Sequence, residues 1–217
     1  MQTHLCTKIA LSAIIFIISI GFLARAVAYR APEGQPTQIK SRATYDSKIS
    51  DPFFESNEWS YPWFIIIHAD GHIENTTGGT TDKKELPRLK HTAKCFTAHQ
   101  GEHVIKFCEA RLLKDNTIEL FIHDMSPSTN DNLKILVKDG LFSCQYWTSY
   151  VADKGDEGVI WTTKRQKLIL DRKVYTTGDT IQGKIEFECL QEVTNPKYGG
   201  RYPKAIIIEG VFRTTIE

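Results

Sequence analysis

No basic excess is present in this chain. Lys and Arg number 27 against 26 Asp and Glu among 217 residues. Little charge is left over for phosphate contacts, which excludes a dedicated nucleic-acid binder. No long stretch carries a helical hydrophobic period, so strands have to build the core. There is no internal repeat and no low-complexity tract. The familiar catalytic signatures are also missing: no G-x-S-x-G, no H-E-x-x-H, no phosphate-cradling glycine loop and no dinucleotide fingerprint. None of Cys95, Cys108, Cys144 and Cys189 sits in a C-x-x-C pair. A catalytic triad assembled from distant loops stays open, because triads are defined by geometry and not by order.

What is present begins with an apolar leader. Lys8 precedes Ile9 to Ala24, a run without a charge, and Ala24-Arg25-Ala26-Val27-Ala28 follows. That order matches a secretory signal peptide cut after Ala28. The alternative is an uncleaved anchor, since a spanning helix needs about 20 apolar residues and residues 9–24 come close. Both readings send residues 29–217 across a membrane, to a secreted or periplasmic location in the first case and to a bilayer surface in the second.

Hydrophobic residues make up 41% of the chain and charged residues 24%, an ordinary globular balance that rules out wholesale disorder. Residues 29–50 are polar, with Pro32, Gly34 and Pro36, and are expected to form a flexible tether. Residues 51–217 are expected to form one all-β domain, an antiparallel β-sandwich or, alternatively, a β-barrel. Asp70-Gly71 and Asp139-Gly140 mark hairpin turns. Ile118, Leu120 and Ile122 share one face of a strand. Thr180 to Leu190 alternates most cleanly, with Ile181, Ile185, Phe187 and Cys189 inward and Gln182, Lys184, Glu186 and Glu188 outward. The charged loop Val151 to Gly158 is the expected internal hinge. The Tyr175-to-Ile185 stretch reads as a strand, turn and strand, a packing signature.

Four cysteines remain beyond the leader. An even number in an exported chain suggests two disulfides. If Gly101-Glu102 is a two-residue turn, Gln100 pairs with His103 and Cys95 with Cys108. That pair is non-hydrogen-bonded, with Cα atoms about 4.5 Å apart, inside disulfide range. Cys144 and Cys189, both inward-facing, follow by elimination. The alternative is that the thiols are buried and free.

Two sets of side chains could carry chemistry. His68, Asp70 and His72 are a minimal metal-ligand set, suited to zinc, across a tight turn. They would support a secreted metal-dependent enzyme. Trp59, Tyr61 and Trp63 lie in the aromatic run from Phe53 to Phe64. Exposed, they offer a platform for a glycan or protein partner. Buried, they seal the sandwich. His91, Cys95, His99 and His103 recur every fourth residue, but on strands such spacing separates ligands by about 13 Å. Asp153, Asp156 and Glu157 lack the full oxygen pattern that calcium needs. Asn75-Thr76-Thr77 is a formal N-glycosylation sequon.

These features point to an exported, non-enzymatic β-sandwich with a binding or envelope role. A metal-dependent enzyme and a membrane-anchored accessory subunit are the alternatives. The step from fold to function is one of analogy.

Overall fold

A computed structural model describes residues 39–78, 86–97, 103–124, 129–150, 159–193 and 204–217. The leader, the first part of the expected tether and the expected hinge at 151–158 lie outside the described residues.

The domain is a β-sandwich of two open sheets. The first holds β1 (Ser41–Arg42), β9 (Phe107–Leu112), β10 (Ile118–His123), β11 (Thr129–Lys138) and β12 (Leu141–Tyr150), in the order β1-β12-β11-β10-β9. The second holds β2 (Thr44–Tyr45), β7 (Ala93–Thr97), β8 (His103–Ile105), β13 (Val159–Leu170), β14 (Thr180–Val193) and β15 (Lys204–Thr215), in the order β2-β13-β14-β15-β7-β8. Neither sheet closes on itself, so the barrel alternative is set aside. Two further ribbons complete the structure: β3 (Trp59–Ser60) with β6 (Leu89–Lys90), and β4 (Ile65–Ile67) with β5 (Ile73–Asn75). No α-helix occurs among the described residues.

Alternation builds the core. Ile118, Leu120 and Ile122 of β10, Leu133, Ile135 and Val137 of β11, and Phe142, Cys144 and Tyr146 of β12 are all buried. They meet Ile181, Ile185, Phe187 and Cys189 of β14 and Ile206, Ile208 and Phe212 of β15 in one cluster. Period-2 side chains put each set on one face, and burying large aliphatic and aromatic groups contributes about 1.5–3 kcal/mol apiece. Gly183 completes the pattern by omission. It pairs with Phe212, and a Cβ there would fall 2.3 Å from the Phe212 ring.

Both edges are tied by chain that crosses between sheets. β1 pairs with β12 and β2 runs parallel to β13, with buried Ala43 at the crossing and its N–H on the Gly140 carbonyl at 2.9 Å. Residues 39–50, expected within a tether, therefore include two sheet strands. The polar composition hid them because an edge strand of two residues buries only Ala43 deeply. At the opposite edge the chain leaves β8 at Lys106, whose carbonyl accepts from Thr92 and Ala93, and enters β9 in the other sheet. Strands that switch sheets are how sandwich corners are made.

Outside the main core, Pro52–Glu55 forms a 3-10 turn. Asp51 caps it by accepting from the Phe53 N–H at 3.0 Å. The turn buries Phe53 and Phe54 against Val211, on the outward side of β15. Arg213 fixes it by donating to the Phe54 carbonyl.

The segments 98–102, 125–128, 151–158 and 194–203 join β7 to β8, β10 to β11, β12 to β13 and β14 to β15. The flanking strand ends pair with one another: Thr97 with His103 and Trp161 with Gln191 in the second sheet, and Asn132 with His123 and Trp147 in the first.

Candidate functional site

The Trp59–Asn75 segment forms an arm beside the two main sheets. Its first ribbon places Trp59 opposite Lys90. Trp59 is 40% exposed. The Tyr61 ring meets it edge-on at 4.8 Å, and the Arg88 guanidinium carbon lies over it, 4.3 Å from the ring centroid. The indole thus has one face held by a cation, a favourable placement over its negative quadrupole. Trp63 is 50% exposed and meets Phe64 edge-on at 5.7 Å.

The second ribbon follows directly. Ile65 pairs with Asn75, Ile66 with Glu74 and Ile67 with Ile73. Ile65 is buried, but Ile66 and Ile67 are each 41% exposed. A two-stranded ribbon has no sheet behind it, so both of its faces cannot be covered. The aromatic run therefore divides. Phe53 and Phe54 enter a core, as the sealing alternative expects, whereas Trp59 and Trp63 stand at the surface with two isoleucines.

His68 and His72 lie at the tip of this ribbon. The turn is longer than the two residues expected: the His68 N–H bonds the His72 carbonyl at 2.9 Å, and Gly71 takes a φ of +86°. The histidines are consequently direct cross-strand partners and not diagonal ones. Their rings stack with centroids 5.5 Å apart. Glu74 reaches the His68 Nε2 at 2.9 Å. Asp70 is committed elsewhere, its carboxylate accepting the His72 N–H at 2.9 Å to stabilise the loop. The expected trio of His68, Asp70 and His72 does not assemble. Among the described residues no three Asp, Glu, His or Cys side chains are arranged to hold a metal ion.

A buried polar cluster lies at the end of the sandwich that His103 and Asp131 share. Asp131 is 1% exposed. It accepts a hydrogen bond from the Tyr146 hydroxyl, and its other carboxylate oxygen lies 3.1 Å from His103 Nε2. Asp124 stands 3.8 Å from the same imidazole nitrogen. His103 belongs to one sheet and Asp131 to the other, so the contact pins the sheets together. Cys189 lies close by, but burial, with the charges of Asp131 and Glu188, pushes its thiol far above the ordinary range. A thiol held protonated is no nucleophile. The cluster is a satisfied buried network of the kind that fixes a core.

The expected disulfides are absent. Cys95, Cys108, Cys144 and Cys189 are free and buried. The register explains the first pair: Cys95 lies opposite Ile105, not Cys108. Cys108 comes after the bend at Lys106 and belongs to the other sheet. Cys144 and Cys189 do face inward as expected, from opposite sheets, yet remain thiols. The wider His91, Cys95, His99 and His103 spacing gathers nothing either: Cys95 faces the core, and His99 lies outside the described residues.

Sequence reasoning missed Ile66, Ile67 and Arg88 as surface groups of the arm. The available signal was the short distance between the Asp70-Gly71 turn and both strand ends, which leaves a ribbon too small to bury its isoleucines. It also missed the His103–Asp131–Tyr146 network, whose partners come together only through pairing across two sheets. Compared with family models, curated proteins and solved structures, the chain matches none.

Proposed function

We propose that this chain is an exported, non-enzymatic binding module that holds a protein partner through its Trp59–Asn75 arm. The observation that carries the reading is the exposure of Trp59, Trp63, Ile66 and Ile67 together on one small appendage, whereas the chain's other two tryptophans, Trp147 and Trp161, are buried. Trp, Tyr and Arg are the side chains enriched where protein interfaces concentrate their energy. The two isoleucines favour a protein over a glycan, because sugars stack on aromatic faces and Arg88 already occupies one face of Trp59. Export rests on residues 1–28 alone, since the free thiols remove the disulfide argument.

The test is site-specific photo-crosslinking in the native host, with the reactive group at Trp63 or Ile66 and a control on β14 at Glu186. The expected result is one discrete protein adduct from the arm positions, none from the control, and loss of that adduct in Trp59→Ala. Trp59→Ala and Trp63→Ala should leave the melting temperature unchanged. A loss of about 3–5 kcal/mol, the cost of truncating a buried large aromatic, would show that they serve a core instead. Retention on host polysaccharide that these substitutions abolish would move the partner to the glycan class.

A further inference from the structure

Asn75, Thr76 and Thr77 are the single Asn-x-Ser/Thr triplet in the chain. The fold places it at the base of the arm. Asn75 ends β5 opposite Ile65, and Thr76, Thr77 and Gly78 turn away at the exposed surface. The Asn75 side-chain carbonyl accepts from the Thr77 N–H at 3.0 Å and from the Thr77 hydroxyl at 2.7 Å. Thr76 anchors the turn, its N–H on the Phe64 carbonyl at 2.9 Å and its hydroxyl on the same oxygen at 3.3 Å. The hydroxyl of the third residue therefore contacts the carboxamide of the first, Thr76, Thr77 and Gly78 are exposed, and a Cβ at Gly78 would meet nothing within 4 Å of the described residues.

We propose that Asn75 is an N-glycan acceptor, an inference that rests on the export reading above. The co-reactant is an oligosaccharide linked through pyrophosphate to a membrane lipid, delivered by the transferase of the host's export pathway. The Asn75 amide nitrogen forms a bond to C1 of the first sugar. The bond from C1 to the pyrophosphate oxygen breaks, the lipid pyrophosphate leaves with the electron pair, and the amide gives up one proton. No oxidation or reduction is involved. Cross-strand pairing puts Asn75 on the ribbon face of Ile65, Ile67 and Ile73, opposite to the Ile66 face.

Translation of the full chain in the presence of endoplasmic-reticulum microsomes tests this, with protease protection scored beside glycosylation. The expected product is protease-protected and larger by one glycan. An endoglycosidase removes the shift, Asn75→Gln and Thr77→Ala abolish it, and Thr77→Ser retains it. A protected chain without the shift overturns the glycan proposal and leaves export standing. A chain that the protease digests overturns export and the glycan proposal together.

Discussion

Each of the four thiols between the sheets sits where water does not reach. Burial pushes Cys95 up to about 12 and raises Cys108, Cys144 and Cys189 as well. The thiolate is the reactive species, so these groups are inert in the folded protein. Alkylation with iodoacetamide at pH 8 should leave all four unmodified, and denaturation should render all four reactive, as read by peptide mapping. A disulfide-linked peptide between any two of them would contradict the structure. The direction in which each cysteine faces was legible from its neighbours: Cys189 alternates with Phe187 and Ile185, and Cys144 with Phe142 and Tyr146. Their partnership was not. A register is set by the loop, and a shift within the Thr97–His103 connection moved Cys95 onto Ile105.

At the level of elements, legibility followed alternation and turn chemistry. Asp139 and Gly140 both take positive φ, 51° and 76°, and join Lys138 to Leu141 as the two-residue hairpin their sequence demands. β14 begins at Thr180 as expected because its alternation is unbroken up to the turn at Gly178. β13 is longer than its legible part, Lys167 to Leu170, because a bulge between Thr163 and Arg165 breaks its period. The arm was half legible: its aromatics were marked, but whether they faced water depended on which residues the 3-10 turn took into the satellite core. One junction makes a sharp demand that no pattern announces. β7 crosses so close to β15 that a Cβ at Gly210 would lie 2.2 Å from the Lys94 carbonyl oxygen and 2.6 Å from the Cys95 Cα. Backbone cannot rotate aside as a side chain can. Gly210→Ala should therefore destabilise the domain by about 1–3 kcal/mol or more, measured by urea unfolding. Wild-type stability in that variant would mean that β7 and β15 are not in this register.

Across the whole molecule, carboxylates and histidines link sandwich stability to pH, and the order in which they act can be worked out. Asp115 bonds Lys138 at 2.8 Å and Thr117, which holds its carboxyl down to about 2. Glu109 is lowered chiefly by His123. Depressed carboxylates contribute stability at pH values above their unfolded range, and that contribution is lost as pH falls through the folded value. His91 acts earlier. Its Nε2 is buried without a hydrogen-bond partner among the described residues, and the Phe107 ring meets it edge-on at 6.0 Å. Burial, assisted by the Lys106 charge, lowers its pKa, and Glu58 at 3.7 Å opposes this only in part. Above the ordinary histidine value of 6.5 the imidazole is neutral in both states and pH has no effect through it. As pH falls through 6.5 the unfolded chain takes up a proton that the folded chain refuses, so stability declines until the folded His91 itself protonates. The wild-type urea midpoint should thus fall between pH 7 and pH 5.5, before Asp115 and Glu109 are protonated. His91→Gln, which cannot titrate, should flatten that limb and keep the later loss below pH 4.5. An unchanged slope in the variant would place the early proton uptake elsewhere. A flattened one would tie the acid response to the strip where β6 leads into β7, beside the Trp59 ribbon, and so to the base of the arm proposed to hold the partner.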